Sequence, residues 1–219
     1  MRIIALIPAR QGSKRVSNKN MRDLKGSPLV MWSTLMAISS SKITATWVST
    51  DSIEIKNLSL KFASFVFDRS EYAASDTATD FDVIKEFVDQ VECDLIVYLR
   101  PTTPFRTSEM VDEAIRIMEV KGYDSLRSVE EMSESAYKCF SIQTGLCKPL
   151  TKKDVTDYPN QKLPKTYKPN GYVDIVRPEI IRSGSLWGEG RYAFITPRTI
   201  EIDTPEDFEY AQWYAHNKY

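Results

Sequence analysis

The feature that most restricts the fold is an alternation of short, largely apolar runs with segments of helical periodicity. Such runs at 3–7, 46–49, 64–67 and 95–99 are each followed by a polar loop and then by apolar residues spaced three and four positions apart. Short apolar runs of this kind are typical of parallel strands that helices cover on both faces. The rhythm therefore predicts an α/β fold with a doubly wound, mostly parallel, Rossmann-like sheet.

The length of 219 residues suits a single domain spanning 1–219. One stretch, residues 130–175, departs from the rhythm, because its part from 145 to 169 is rich in lysine and proline and has little periodicity. A long irregular stretch in a compact domain is usually functional or makes an oligomer contact. Around it the sequence predicts further strands at 125–129, 137–142, 172–176, 191–195 and 199–202, and a last helix that begins at Thr204-Pro205.

Composition excludes several function classes. A formal net charge of -1 gives no reason to expect nucleic acid as a partner. The only histidine is His216, and the three cysteines match no zinc motif, so lysines, arginines and carboxylates must carry any activity. We expect a cytoplasmic protein with no membrane partner, because the sequence contains no apolar run of bilayer length and no signal-peptide pattern.

The loop after the first predicted strand concentrates positive charge. It contains one glycine, Gly12, and four cations: Arg10, Lys14, Arg15 and Lys19. A loop at the carboxyl end of a parallel strand faces the crevice in which such sheets bind ligands. Converging cations there suit a polyanion such as a nucleoside triphosphate. The alternative is an ordinary solvated basic loop, and the segment lacks the first glycine of a P-loop.

Several segments resemble one known family. Residues 7–14 and 18–20, Ile-Pro-Ala-Arg-Gln-Gly-Ser-Lys and Asn-Lys-Asn, resemble the signature of the N-acylneuraminate cytidylyltransferases. Residues 48–51, 74–78, 101–106 and 202–208 resemble the later blocks of that family in the same order, so the likeness covers nearly the whole chain. The resemblance implies transfer of CMP from CTP to the anomeric hydroxyl of a sialic-acid-like keto-sugar, with release of pyrophosphate and with Mg²⁺ as cofactor.

The resemblance also implies roles for individual residues. Arg10, Lys14 and Lys19 would hold the triphosphate and neutralise charge as pyrophosphate leaves. The full nucleotide-binding set would be Arg10, Gly12, Lys14, Lys19, Asn20, Arg69, Asp76, Ala78 and Asp80. Helix capping is the competing interpretation for Asp76 and the favoured one for Asp80.

Two acids near the last helix are the predicted metal ligands. If 199–202 and the following residue are extended, Glu201 and Asp203 share a face while Ile202 points to the other. Carboxylate oxygens together with substrate phosphates suit Mg²⁺. Asp203 falls on the metal-binding aspartate of the family, whereas Glu201 replaces a second aspartate and reaches farther. Two solvent-facing acids on an edge strand are the alternative.

The predicted sugar-binding residues are Arg100, Thr102, Thr103, Lys138, Tyr167 and Asn170. Arg100 stands where the family commonly has glutamine. Its guanidinium suits the substrate carboxylate, another sugar substituent or a nearby acid. Lys138 has an equally simple interpretation as a surface lysine. The acceptor therefore stays open among neuraminic, legionaminic, pseudaminic and related acids.

The family dimerises through a region that corresponds to the irregular stretch, so we expect a homodimer with partly shared sites. A 3-deoxy-octulosonate cytidylyltransferase is the nearest enzyme alternative, although residues 11–14 and 18–20 are closer to the neuraminate type. A nucleotide-binding protein without activity is the alternative from another class. CTP binding without turnover would identify it.

Overall fold

A central sheet of seven strands forms the middle layer of the computed structural model, which describes residues 1–62 and 64–219. Two short hairpins lie outside this sheet. The strands of the described residues are β1 (Ile3–Pro8), β2 (Asp23–Leu24), β3 (Ser27–Pro28), β4 (Ala45–Thr50), β5 (Phe65–Asp68), β6 (Leu95–Tyr98), β7 (Ser125–Glu131), β8 (Phe140–Gln143), β9 (Leu146–Pro149), β10 (Tyr167–Val176) and β11 (Arg191–Ile195).

Helices connect most of these strands. They are α1 (Leu29–Ser39), α2 (Ile53–Ser59), α3 (Glu71–Ala74), α4 (Asp80–Val88), α5 (Ser108–Lys121), α6 (Pro178–Arg182) and α7 (Pro205–Asn217). The predicted cap of the last helix is confirmed, since the Thr204 hydroxyl accepts from the amide of Asp207. Helix α4 is capped by Thr79 with Asp82 in a capping box, so the expectation that Asp80 is its cap is wrong.

The strand order is β11-β7-β10-β6-β1-β4-β5. Strand β1 pairs in parallel with β4 and β6, and β5 pairs in parallel with β4. Strand β10 is antiparallel to both of its neighbours, and β11 returns to a parallel pairing with β7. The predicted doubly wound, mostly parallel sheet is confirmed.

Alternation along the strands separates two apolar layers. On β1, Ala5 and Ile7 pack in the layer that includes α1 and α5, whereas Ile4 and Leu6 pack in the layer of α4 and α6. A third, smaller cluster includes Ile202 and Phe208 and joins the start of α7 to the β2–β3 hairpin and α1. This cluster brings the residues before α7 close to the loop after β1.

Three sequence predictions differ from the structure. The stretch 199–202 is not a strand, because the amide of Ile202 donates to the carbonyl of Thr102, 2.8 Å away, instead of joining the sheet. Residues 137–142 divide between a 3₁₀ turn and β8. The predicted turn at Asn170-Gly171 is a register irregularity inside β10, and Gly171 has a φ of 65° there, which favours glycine.

The irregular stretch 130–175 carries an exposed hairpin. Strands β8 and β9 pair only with each other, and the large apolar residues Phe140, Ile142, Leu146 and Leu150 are exposed on or beside them.

None of the helices in the described parts of the chain is long and apolar enough to cross a bilayer.

Candidate active site

A cavity of about 520 Å³ opens at the carboxyl ends of β1 and β6. Most of the predicted nucleotide-binding residues line it, together with two of the predicted sugar-binding residues and one predicted metal ligand. These residues are Arg10, Lys14, Lys19, Asn20, Arg69, Asp76, Ala78, Asp80, Arg100, Thr102 and Asp203. Gly12 lies in the same loop, with open space where a Cβ atom would be.

One acid gathers two of the loop cations. Asp76 Oδ1 lies 2.9 Å from Arg10 Nη2, and Asp76 Oδ2 lies 2.5 Å from Lys14 Nζ. The hydrogen bond from Lys14, with a further one from Arg10, lowers the pKa of Asp76. Asp76 therefore pairs with these cations and does not cap a helix. The two cations therefore lie on one wall of the cavity, although the Lys14 side chain is largely exposed.

Lys19 lies deeper in the cavity, at its opposite wall. Its Nζ donates to the carbonyl of Ile202 at 2.8 Å and lies 3.6 Å from Asp203 Oδ1. Burial lowers the pKa of Lys19, although the Asp203 carboxylate acts in the opposite direction. The side chain of Arg15 is largely exposed, and its Nη1 lies 3.6 Å from Asp203 Oδ2.

The two predicted metal ligands face different cavities. The start of α7 fixes Asp203, because the Asp203 amide donates to Asp207 Oδ2 at 3.0 Å, and Asp203 lines the first cavity. Glu201 lines a neighbouring cavity of about 670 Å³ together with Thr103. Ile202 between them is fully buried, as the alternation predicts, but the two acids line different cavities and not the one face that was expected.

Two further nucleotide-site residues have structural partners. Arg69 is buried, and its guanidinium donates to the hydroxyl and the carbonyl of Ser49, both at 3.0 Å. Burial lowers the pKa of Arg69. The amide nitrogen of Asn20 donates to the carbonyl of Arg10 at 2.9 Å and so ties the two ends of the loop together. Both residues line the cavity, and these hydrogen bonds to the protein's own groups hold their side chains in place.

Arg100 is engaged by acids on two sides. Its Nη1 donates to Asp174 Oδ2 at 2.7 Å, and its Nη2 donates to Asp80 Oδ2 at 2.6 Å. Burial opposes the Arg100 charge, but Asp174 and Asp80 outweigh this effect and raise the pKa of Arg100. The Tyr98 hydroxyl donates to the other oxygen of Asp80 at 2.9 Å. Of the alternatives for Arg100, the structure therefore contains the ion pair with nearby acids.

The remaining predicted sugar-binding residues lie away from this cavity. Lys138 is in a 3₁₀ turn, 3.5 Å from Glu134, and Tyr167 is an exposed residue at the start of β10. The Asn170 amide is buried and donates to Glu130 and Thr196. The structure brings none of these three to the described walls of the cavity, and their contact with a sugar stays a prediction.

Three residues of the site were not predicted from sequence. Tyr98 is the last residue of an apolar strand. Asp174 is the single acid within another apolar strand, and this isolated charge is the sequence signal that could have identified Asp174. Arg106 is 1% exposed and donates to Ser33 and to the carbonyls of Arg100, Gly171 and Tyr172. It fastens the loop after β6 to β10 and α1.

A parallel sheet with a cation-rich loop after its first strand, facing a carboxylate before its last helix, defines a nucleotidyltransferase. The chain belongs to the cytidylyltransferase family, whose model, described as "Cytidylyltransferase", matches residues 4–214. The resemblance drawn from the sequence motifs is thereby confirmed.

Relatives of known name match nearly the whole chain. It is 37% identical to the CMP-N,N'-diacetyllegionaminic acid synthase of Legionella pneumophila, covering 95% of this chain and 94% of that protein. It is 30% identical to N-acylneuraminate cytidylyltransferase A of Danio rerio and to the N-acylneuraminate cytidylyltransferase of Streptococcus agalactiae. The chain spans about half the length of these two relatives, 50% and 52%.

Solved structures confirm the fold at low sequence identity. A CMP:2-keto-3-deoxy-manno-octonic acid synthetase complexed with CTP superposes with a TM-score of 0.77 at 16% identity, covering 100% of both chains. The 4-diphosphocytidyl-2C-methyl-D-erythritol synthase of Anaerococcus prevotii superposes with a TM-score of 0.69 at 13% identity, covering 99% of this chain and 96% of that one.

Proposed function

We propose that the protein transfers CMP from CTP to the anomeric hydroxyl of a sialic-acid-like keto-sugar and releases pyrophosphate. The observation that carries the proposal is that Arg10, Lys14 and Lys19 line one cavity, in which the Asp203 carboxylate lies beside Lys19. Fixed cations around a triphosphate, with a carboxylate placed to hold a divalent ion, meet the main needs of phosphoryl-type transfer: alignment and charge stabilisation.

In this mechanism the three cations bind the triphosphate. Arg10 and Lys14 already form ion pairs with Asp76. Phosphate oxygens would replace the Asp76 carboxylate as the partner of these cations, or would bind them beside it. Lys19 is fixed from behind by the carbonyl of Ile202, so its ammonium is oriented before substrate arrives. Negative charge grows on the leaving pyrophosphate, and these cations stabilise it.

The donor set fits Mg²⁺ as a cofactor held jointly with substrate. In the described residues, no three histidine, cysteine or acidic side chains come together to hold a metal alone. Mg²⁺ typically takes one or two carboxylates and completes its shell with phosphates and water, which Asp203 would allow. When bound, the ion supplies electrostatic stabilisation of the phosphates. Glu201 faces the neighbouring cavity and is the weaker ligand of the two.

The acceptor would enter from the side of Arg100, Thr102 and Thr103. The relatives are named for N-acylneuraminate and N,N'-diacetyllegionaminic acid, both acidic sugars, and this supports the same class of acceptor here. Lys138, Tyr167 and Asn170 lie in the irregular stretch 130–175, which we propose to form a homodimer contact. The exposed apolar hairpin β8–β9 supports that assembly.

Pyrophosphate release with CTP and Mg²⁺ tests the proposal across a panel of acceptors. The panel contains N-acetylneuraminic acid, N,N'-diacetyllegionaminic acid, pseudaminic acid and 3-deoxy-octulosonate, each also tried with ATP, GTP and UTP. We expect turnover with CTP and a nine-carbon acidic sugar. Preference for 3-deoxy-octulosonate would favour that enzyme type, and CTP binding without any release would favour an inactive nucleotide-binding protein.

A further inference from the structure

Asp174 is the most buried member of a charge cluster that includes Arg100 and Asp80, which line the nucleotide cavity. Its side chain is 2% exposed, and one of its oxygens accepts from Arg100 Nη1 at 2.7 Å. The other terminal nitrogen of Arg100 donates to Asp80, which also accepts from the Tyr98 hydroxyl. Arg100 is thus held between two carboxylates, one of them almost inaccessible to solvent.

The sheet register explains why Asp174 reaches Arg100. Asp174 on β10 lies opposite Tyr98 on β6 and opposite Arg127 on β7, so the three side chains share one face. Arg127 Nε lies 3.9 Å from the second oxygen of Asp174. Because a buried carboxylate without a partner is costly, the two arginines and Asp174 depend on each other for charge compensation.

The cluster limits what Arg100 can do for a substrate. Each terminal nitrogen of Arg100 already donates to an acid, so two carboxylates compensate its single positive charge and a third, from the substrate, would be repelled by them. The carboxylate of a 2-keto-sugar is attached to the anomeric carbon, so it must lie close to the reacting phosphate. In the proposed function the loop after β1 holds the phosphates, whereas Arg100 follows the neighbouring strand β6.

The wall beside Arg100 offers both a hydrogen-bond donor and a hydrogen-bond acceptor. Arg100 is 17% exposed and has N–H groups beyond the two that bind the acids. The Asp80 carboxylate is 40% exposed and lines the same cavity, as does Thr102. A donor beside an acceptor matches an acylamino group, which has one N–H and one carbonyl.

We propose that Asp174 is a positioning residue which, with Asp80, locks Arg100 so that this arginine contacts an acylamino substituent of the acceptor and not its carboxylate. The inference rests on the proposed transfer to an acidic keto-sugar. It assigns a role to Asp174, which acts through Arg100 and does not touch the substrate.

A double-mutant cycle tests the inference. The variants are Asp174→Asn, Arg100→Gln and the double variant, assayed with N-acetylneuraminic acid and with the analogue that has a hydroxyl in place of the acetamido group. We expect each single variant to raise the acceptor KM about 10- to 100-fold, the range for one charge-assisted hydrogen bond, with little change in the KM for CTP. The double variant should be no worse than Arg100→Gln alone, because Asp174 acts through Arg100.

Controls separate this role from general damage to the fold. Asp112→Asn also removes a hydrogen-bonded carboxylate, one that binds Ser40 and Ser41, and it should leave both KM values unchanged. The midpoint of thermal unfolding of Asp174→Asn checks that the variant is folded at the assay temperature. For the hydroxyl analogue, Arg100→Gln should cost much less than for the acetamido sugar.

Three results would overturn the inference while leaving the proposed function intact. These are additive losses in the double variant, equal losses with the two acceptors, and a rise in the KM for CTP alone. An unmodified protein that releases no pyrophosphate with any acidic keto-sugar would overturn the proposed function, and the inference with it.

Discussion

Lys19 and Asp203 meet across the cavity, with Lys19 Nζ 3.6 Å from Asp203 Oδ1. The same ammonium donates to the carbonyl of Ile202, a residue 183 positions away along the chain. This relationship connects the loop after the first strand to the start of the last helix. It also means that one cation is oriented by, and partly compensated by, the carboxylate that we propose to bind metal.

Replacing Lys19 by alanine should abolish most turnover. The change removes a fixed cation from the proposed triphosphate site, and loss of one preorganised charge-stabilising group typically costs about 100-fold or more in kcat. Pyrophosphate release at saturating CTP measures this loss. Lys121→Ala, at an exposed lysine at the end of α5, is the matched control and should behave as the unmodified protein. Near-normal turnover in Lys19→Ala would remove the residue from the catalytic set.

As the pH rises, activity should begin to fall at a lower pH than it would if Lys19 had the usual pKa of a lysine. Burial lowers the pKa of Lys19 from its usual 10.5, with Asp203 opposing, so the ammonium loses its proton earlier as the pH rises. The pH profile of kcat/KM for CTP reports the free enzyme and is the measurement of choice. Lys19→Arg keeps its charge to higher pH, so any residual activity should extend farther into alkali. An unchanged alkaline limb in that variant would assign the titration to another group.

Asp203→Asn should raise the Mg²⁺ concentration that the reaction requires. The neutral amide retains the size of the side chain but loses the charge that a hard divalent ion requires. We expect the Mg²⁺ concentration for half-maximal rate to rise at least about tenfold. Glu201→Gln should shift it less, because Glu201 faces the neighbouring cavity. Identical titrations for Asp203→Asn and the unmodified protein would contradict the assignment.

Much of the fold follows from local patterns. The apolar run from Ile3 onwards and the start of the last helix at Thr204 depend on neighbouring residues only, and the structure confirms them. The cation loop was predictable for a similar reason, since a loop at the end of a parallel strand must face the crevice.

Long-range partners decide the parts that sequence patterns did not predict. The stretch 199–202 alternates like a strand, yet the Ile202 amide is taken by the carbonyl of Thr102 in a distant loop. Asp80 resembles a helix cap in sequence, but it is the first residue of α4, and Arg100 and Tyr98 bind its carboxylate. Such pairings join residues whose proximity exists only after the sheet has assembled.

Arg106→Met should destabilise the folded state considerably. The buried guanidinium donates to the carbonyl of Gly171 at 3.0 Å and to the carbonyl of Arg100 at 2.6 Å. Methionine would remove both donors, and the Arg100 carbonyl would keep only the longer hydrogen bonds from Thr103 and Ser33. Because each unpaired buried group costs about 1–3 kcal/mol, we expect a loss of about 3 kcal/mol in the free energy of unfolding. Burial lowers the pKa of Arg106 to about 9, so the side chain is charged at neutral pH and its desolvation offsets part of this loss.

Urea unfolding of Arg106→Met measures the change. The matched control is Arg116→Met, which removes an exposed arginine paired with Glu113 at 2.6 Å, and it should cost less than about 1 kcal/mol. A loss of similar size in both variants would show that Arg106 does not fasten the loop to the sheet.

Ile142→Asp should separate the proposed homodimer. Ile142 is 74% exposed on β8, on the same face of the hairpin as the exposed Phe140, so a charge there costs little in a monomer. In a dimer that buries this hairpin, the same carboxylate would lose its hydration without a partner. Sedimentation should then report the monomer mass of 25.1 kDa for the variant and twice the monomer mass for the unmodified protein. Val120→Asp, at an equally exposed residue of α5, is the control and should stay dimeric; dissociation of both variants, or of neither, would place the contact elsewhere.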